Sequence, residues 1–158
     1  MIMQASPEIR NILLSDKISG LKIEQALLHL TGLFPNQVVF STSFSMEDQV
    51  ITDIILTGHI PVSIFTLDTG RHFAETYSLW SSTEEKYGTR IRAYFPDHRQ
   101  LETYVSEKGP NAFYKSISDR IACCHIRKVE PLQRALKGQS VWITGLRAAH
   151  SIERERSG

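Results

Sequence analysis

Two adjacent cysteines, Cys123 and Cys124, are the only cysteines in the 158-residue sequence, and Arg127 and Lys128 follow them closely. A disulfide between neighbouring cysteines closes a strained ring, so a pair in basic surroundings indicates thiolates held for a metal or for a reaction. An iron–sulfur cluster is usually held by four thiolates. The pair therefore predicts half of such a site.

Three further segments carry groups suited to a small anion, and each follows a predicted strand. They are the hydroxyl-rich run 41–45, the turn 67–71 and the run 144–147. In parallel α/β sheets, ligands bind beyond the carboxyl ends of the strands, where loop amides and helix N-termini face an anion. The candidate binding residues are Ser41, Thr42, Ser43, Phe44, Ser45, Leu67, Asp68, Thr69, Gly70, Arg71, Gly145 and Arg147.

Each of these features also has a simpler structural explanation. The hydroxyl run is suited to capping a helix N-terminus, and Gly70 suits a turn that needs positive φ. Arg127 and Lys128 stand near the start of a predicted helix, where cations oppose the helix dipole, so a bound anion would offset that cost. A solvated helix face is the commoner reason for such charges. The six histidines lack the spacing of a zinc site.

An alternating series of strands and helices must position these groups. Predicted helices span residues 9–14, 21–30, 46–56, 72–86, 101–107 and 123–136, and predicted strands span 37–40, 60–67, 91–94 and 141–144. Thr31-Gly32 is expected to end the second helix. Val141, Trp142 and Ile143 are expected in the core. The alternation implies an α/β fold with a parallel sheet and right-handed crossovers.

Composition limits the class of protein. With 41% apolar and 22% charged residues, the sequence fits one globular domain with a proper core. A net charge of +1 gives no overall attraction to nucleic acid or to anionic membranes. No run approaches the roughly 18 apolar residues of a membrane span. These features, with twin thiols suited to a reducing compartment, predict a soluble cytoplasmic protein that binds a small anion.

Taken together in this order, the motifs resemble the adenylyl-sulfate and phosphoadenylyl-sulfate (APS and PAPS) reductases of assimilatory sulfate reduction. Four segments carry the resemblance: 41–48, 67–71 with 75–77, 123–136, and 142–147 with Ser151 and Arg154. The cysteine segment is similar to that of the cluster-bearing branch, which prefers adenylyl sulfate. The resemblance covers about residues 38–154 and implies a three-layer, Rossmann-like parallel sheet of the adenine nucleotide alpha hydrolase-like (PP-loop) type.

The resemblance also implies a division of the chain. Residues 1–33 would form amino-terminal helices, 37–147 the α/β core, and 148–158 the start of an incomplete carboxyl-terminal segment. All three parts would belong to one sulfonucleotide-binding reductase domain.

The implied reaction is reductive cleavage of adenylyl sulfate, or its 3′-phosphorylated form, to sulfite and AMP or PAP. Thioredoxin or glutaredoxin would supply electrons, Cys123 and Cys124 would be two of four ligands of a 4Fe-4S cluster, and Lys128 would lie between cluster and sulfate. The run 41–45 would meet the nucleotide and residues 67–70 its adenosine part, with Arg71 as a further substrate-binding residue. Gly145, Arg147 and Arg154 would meet the nucleotide or its phosphate. Neither nucleic acid nor membrane is an expected partner, and a homo-oligomer is left open.

Departures from the family pattern keep other functions open. Ser45 stands where the family commonly has Gly, and Ala148, His150 and Glu153 replace the usual Arg, Gln and Thr. The family's second cysteine pair and its nucleophilic cysteine are absent from the sequence, which predicts a truncated or split reductase. Cys123 or Cys124 as a substitute nucleophile is less favoured.

Two alternatives come from other classes. The first is a non-catalytic nucleotide-binding remnant. The second is an ATP-using adenylyltransferase or sulfurtransferase, which needs a Gly-rich loop for the triphosphate. Ser45 and the cysteine segment argue against the second.

Overall fold

Four parallel strands form the sheet in the computed structural model, which describes residues 19–145. They are β1 (Val38–Ser41), β2 (Ser63–Leu67), β3 (Arg92–Tyr94) and β4 (Val141–Ile143), in the order β3–β2–β1–β4. The chain therefore starts in the middle of the sheet, proceeds to one edge and returns to the other side of β1. In open α/β sheets the ligand-binding crevice lies outside the carboxyl ends of the strands at such a reversal, which here is between β1 and β4. The predicted α/β fold with a parallel sheet is confirmed.

Six α-helices flank the sheet within residues 19–145. They are α1 (Ile23–Leu33), α2 (Met46–Thr57), α3 (Ala74–Tyr87), α4 (His98–Lys108), α5 (Ile117–Cys124) and α6 (Glu130–Leu136). A short 3₁₀ helix covers Ala112–Tyr114, and a π-helical turn, His125–Val129, joins α5 to α6. Over the described range, the helices are too short or too polar to cross a bilayer. The predicted helix 9–14 and the segment 148–158 lie outside the described residues.

The core has two parts, one on each face of the sheet, because successive strand residues point to opposite faces. Val38 and Phe40 of β1 pack against α1 and α2, whereas Val39 packs towards α6. The first part also contains Leu27, Leu30, Ile51, Ile55, Ile60, Val62, Val141 and Ile143, so the core placement of Val141 and Ile143 is confirmed. Helices on both faces give the three-layer arrangement.

Several predicted element boundaries are wrong, among them that of α4, which begins at His98 rather than at residue 101. Helix α1 continues through Gly32 to Leu33, because a glycine inside a helix costs only about 1 kcal/mol relative to alanine and packing of the helix outweighs it. The second strand begins at Ser63 rather than at residue 60. Pro61 precedes it and has no N–H to donate to a neighbouring strand.

The cysteine helix begins earlier than predicted, at Ile117 instead of Cys123. Ser116 caps it, with its hydroxyl accepting the Asp119 N–H at 3.0 Å. Helical structure then continues through the π-helical turn, which widens the backbone just before Pro131, where an α-helix would suffer a ring–carbonyl clash. Arg127 therefore lies far from a helix N-terminus. The predicted conflict of Arg127 and Lys128 with the helix dipole is wrong.

Glu84 joins α3 to the start of β3. Its carboxylate, with 12% of the side chain exposed, accepts hydrogen bonds from the Ile91 N–H at 2.8 Å, Trp80 Nε1 at 3.0 Å and Arg90 at 2.6 Å. Burial on its own raises the pKa of Glu84. The hydrogen bonds from Ile91, Arg90 and Trp80 outweigh burial and hold the pKa below its usual 4.5.

We expect Glu84→Gln to lower the free energy of unfolding by about 2 kcal/mol at neutral pH, because Ile91 and Trp80 keep only an uncharged acceptor and the Arg90 guanidinium loses its carboxylate partner. A lowered folded-state pKa gives stability that is complete above the unfolded value and is lost as pH falls through the folded value. The difference between Glu84→Gln and the parent should therefore shrink below about pH 4. Urea unfolding at both pH values measures it. Glu85→Gln, at an exposed neighbour, is the control, and a difference independent of pH would contradict the prediction.

Candidate functional site

The first candidate loop follows β1 and is organised around the carboxylate of Asp48. Asp48 is only 4% exposed, and its Oδ2 accepts both the backbone N–H and the hydroxyl of Ser43 at 2.7 Å. The Ser45 hydroxyl accepts the Asp48 N–H at 3.2 Å, so the interpretation of the hydroxyl run as a helix cap is confirmed for Ser45. Asp48 is not among the candidate binding residues predicted from the sequence. The spacing Ser45-x-x-Asp48 was the available signal.

Phe44 is the strained residue of this loop. Its φ of 61° is unusual for a side chain of this size, and its N–H donates to the Thr42 hydroxyl at 3.0 Å. The ring is 6% exposed and stacks on Trp80 with centroids 5.7 Å apart, which helps to hold the conformation. Ser45, by contrast, has an ordinary φ of −65°. Its replacement of Gly therefore creates no backbone strain.

The second candidate loop follows β2 and is a closed turn. The buried Asp68 carboxylate accepts the Gly70 N–H at 2.8 Å and the Tyr77 hydroxyl at 3.0 Å. Burial, and then Asp68 itself, raise the pKa of Tyr77, so this hydroxyl keeps its proton to donate. Gly70 has φ +70°, which confirms the turn interpretation of this glycine. The Leu67 carbonyl accepts a bond from His72 Nε2 at 3.0 Å.

Aromatic side chains connect the first loop to the second. Phe44 stacks on Trp80, Trp80 on Tyr77 at 6.4 Å, and Tyr77 meets the edge of His72 at 5.9 Å. Since Trp80 and Tyr77 both lie on α3, this helix sets the spacing between the two loops. Stacked and edge-to-face pairs stabilise by about 0.5–1.5 kcal/mol beyond burial.

The third candidate loop, after β4, contacts the first. Gly145 lies so close to Asp48 that a Cβ at this position would overlap the carboxylate. Trp142 Nε1 donates to the Ser41 hydroxyl at 2.8 Å, so Trp142 is a loop contact as well as a core residue. The structure thus brings Ser41, Ser43 and Gly145 together. Arg147 and Arg154 lie outside the described residues.

The two cysteines differ in exposure. Cys123 is 8% exposed and packs with Tyr104 and Ala112, whereas Cys124 is exposed, and both thiols are free. Among residues 19–145, no three side chains of His, Cys, Asp or Glu are grouped to hold a metal ion. These residues therefore fit half of a four-thiolate site and not a complete one.

Arginine side chains connect the cysteine helix to the second loop. Arg127, 7% exposed, donates from Nη1 to the Thr69 carbonyl at 2.6 Å. Arg71 donates to the Pro110 carbonyl and to Asn111 Oδ1, both at 3.0 Å. Lys128 is exposed. Hydrogen bonds from these two arginines therefore connect the cysteine segment to the second loop.

Residues 37–158 match the phosphoadenosine phosphosulfate reductase domain. The chain belongs to that family. The chain is similar to an adenosine 5′-phosphosulfate reductase of Sinorhizobium fredii, 44% identical over 141 residues, a match that covers 89% of this chain and 56% of the relative. One from Allochromatium vinosum is 50% identical over 119 residues, which is 75% of this chain and 46% of the relative. The chain spans about half the length of these relatives.

A solved structure agrees with the family assignment. The fold is similar to that of a phosphoadenylyl-sulfate (PAPS) reductase from Candida auris in a phosphate complex, with a TM-score of 0.70 and 28% identity. The match covers 85% of this chain and 66% of that one. The resemblance derived from sequence motifs is thereby confirmed, and the fold is of the PP-loop type.

Proposed function

We propose that this chain is the sulfonucleotide-binding part of an adenosine 5′-phosphosulfate reductase that works in a reducing cytoplasm. One observation carries the proposal: the Arg127–Thr69 bond holds the twin-cysteine helix against a loop at the carboxyl ends of the strands. A nucleotide bound in that crevice would have its sulfate next to the cysteine segment. Family membership and the names of the relatives support this assignment.

The overall reaction consumes one sulfonucleotide and one dithiol. The S–O bond to the nucleotide breaks, AMP leaves with the bridging oxygen, and sulfur leaves as sulfite after gaining two electrons. A thioredoxin or glutaredoxin dithiol supplies them, becomes a disulfide and releases two protons. PAP replaces AMP when the substrate carries a 3′-phosphate. The attacking thiol is assigned to a cysteine outside these 158 residues, because both of their cysteines are assigned to a metal.

The first loop favours a sulfonucleotide over ATP. Its Ser43 N–H is bonded to Asp48 and its Phe44 N–H to Thr42, so these two amides already have acceptors inside the protein. A triphosphate has three anionic groups for the loop amides to bind, whereas adenylyl sulfate has only two, its phosphate and its sulfate. These inward hydrogen bonds are a further argument against the ATP-using alternative, in addition to Ser45 and the cysteine segment.

Cys123 and Cys124 are proposed as two of the four thiolates of a 4Fe-4S cluster, with two ligands from outside this chain. A cluster held there would place additional charge beside the sulfate of the bound nucleotide. Iron content and visible absorbance of this chain joined to the carboxyl-terminal half of a relative test the assignment. Loss of iron in Cys123→Ser, with the fold intact, is the expected result.

Calorimetry with AMP, adenylyl sulfate and ATP tests the binding function directly. We expect AMP and adenylyl sulfate to bind and ATP to bind at least tenfold more weakly, because the inward-bonded amides leave few donors for its additional phosphates. Preference for ATP would replace the proposal with the adenylyltransferase class. Absence of binding by all three would reject both. Binding without reduction by the completed enzyme would indicate the remnant.

Lys128→Ala should reduce kcat/KM of the completed enzyme about 100-fold, the usual effect of removing one group that stabilises developing charge. The ammonium is exposed, so unfolding should change by less than about 0.5 kcal/mol. Steady-state sulfite release and urea unfolding measure the two quantities. Lys115→Ala, another exposed lysine, is the control, and equal rates for the two variants would remove Lys128 from the site.

A further inference from the structure

The cysteine-bearing segment has a small hydrophobic core of its own. Tyr104, Ala112 and Cys123 are its buried members, and Val105, Phe113, Ala122 and Ile126 pack around them. This cluster is distinct from the two that cover the faces of the sheet. Because separate clusters can shift relative to one another, polar contacts between them have a strong influence on their relative position.

Two arginines connect this segment to the second loop in opposite directions. Arg127 extends from the cysteine segment and donates to the Thr69 carbonyl at 2.6 Å. Arg71 extends from the loop and donates to Pro110 and Asn111, and its guanidinium lies 4.8 Å from the ring centre of Phe113. Each segment therefore supplies one arginine that binds the other.

The Arg127 side chain is costly to bury, which argues against a role in stability alone. It is 7% exposed, has no ion pair among the described residues, and its Nε has no hydrogen-bond partner within residues 19–145. An apolar side chain of similar length would pack there without that desolvation cost. A Cβ on Gly70 would lie 3.4 Å from Arg127 Nη1, at contact distance, so the guanidinium packs directly against the glycine turn.

We propose that Arg127 and Arg71 form a clamp that links nucleotide binding at the 67–70 loop to burial of the Cys123 thiol. Both arginines act here as positioning residues. The nucleotide arm of this inference rests on the proposed function. Coupling between two sites is reciprocal. If burial of the thiol strengthens nucleotide binding by some factor, nucleotide binding must favour burial of the thiol by the same factor.

The rate at which Cys123 reacts with an excess of a disulfide reagent measures the clamp. Cys124→Ser in every protein leaves Cys123 as the one reporting thiol, and a chelator keeps metal away. Without nucleotide, Arg127→Met should react about tenfold faster than the parent, because local opening becomes easier. Arg120→Met, at an exposed position of the same helix, is the matched control. Equal rates for Arg127→Met and Arg120→Met would overturn the clamp.

The second part of the experiment repeats the Cys123 reaction with saturating AMP. Parent Cys123 should react about tenfold more slowly with AMP present, within the usual range of coupling between sites, and Arg127→Met should change less than twofold. Equal protection in both proteins would overturn the coupling. If calorimetry finds no AMP binding to the parent, the proposed function fails while the nucleotide-free arm still decides the clamp. If Arg127→Met does not fold, Arg71→Met decides it, and faster reaction of Cys123 is again expected.

Discussion

Asp48→Ala is expected to lower the free energy of unfolding by about 3 kcal/mol and to weaken AMP binding at least tenfold. The carboxylate is 4% exposed and accepts two hydrogen bonds from Ser43, so its removal takes the charged acceptor from both the N–H and the hydroxyl of Ser43. The loop would lose the contact that sets its shape in front of the crevice. Urea unfolding and calorimetry with AMP measure the two effects.

Two further variants separate charge from shape. Asp48→Asn keeps the volume and one acceptor oxygen, so it should lose about half as much stability as Asp48→Ala. Asp53→Ala, on the same helix, removes a half-exposed carboxylate that pairs with Lys86 at 3.6 Å and accepts the Tyr87 hydroxyl, contacts that together are worth about 1 kcal/mol. If Asp48→Ala and Asp53→Ala were equally stable, the central position of Asp48 in the loop would be disproved.

The positions of the strands along the chain were predictable because the sequence signals for strands are local. Residues 37–40 and 141–144 are short apolar segments followed by hydroxyl or glycine residues, and the observed strands Val38–Ser41 and Val141–Ile143 lie within one residue of these bounds. Parallel topology then follows from the alternation with helices. The placement of the three candidate loops at one edge of the sheet follows from topology alone, which is why it was predictable from sequence.

The start of the cysteine helix was missed because its first two turns do not have the pattern of a buried helix. Ile117 and Ile121 are 72% and 65% exposed, so their spacing does not mark a face packed on the core. Ser116, followed three residues later by Asp119, was the local signal. The π-helical turn could not be predicted, because it depends on how the backbone adjusts around Pro131 in three dimensions.

Contacts between distant residues account for the rest of what the sequence did not reveal. Arg127 and Thr69 are 58 positions apart, and a single sequence contains no sign that they meet. Arg71 was expected to face substrate, yet its guanidinium contacts Pro110, Asn111 and Phe113. Its part in binding substrate stays a prediction. The side chains themselves were visible in the sequence, but their partners depend on packing between separate segments.

Gly145→Ala is expected to cost about 3 kcal/mol, at the upper end for a side chain forced into a filled space. The new Cβ would overlap the Asp48 carboxylate and lie 3.2 Å from its Cγ and 3.3 Å from its backbone nitrogen. Asp48 cannot move aside easily, because Ser43 holds its Oδ2 through two bonds of 2.7 Å. Urea unfolding measures the loss, and calorimetry should show weaker AMP binding in the same variant.

A second glycine supplies a control in which the change to alanine should raise the free energy of unfolding instead of lowering it. Gly32 lies inside α1, and a methyl group added to it would have no other described residue within 4 Å, so Gly32→Ala should stabilise the chain by about 1 kcal/mol through helix propensity. The steric conflict predicted for Gly145→Ala depends on the Asp48 side chain. A double-mutant cycle at the two positions measures that dependence. In an Asp48→Ala background, Gly145→Ala should cost less than about 1 kcal/mol, giving a coupling of about 2 kcal/mol. An undiminished loss in that background would locate the conflict in the backbone of α2 instead of the carboxylate.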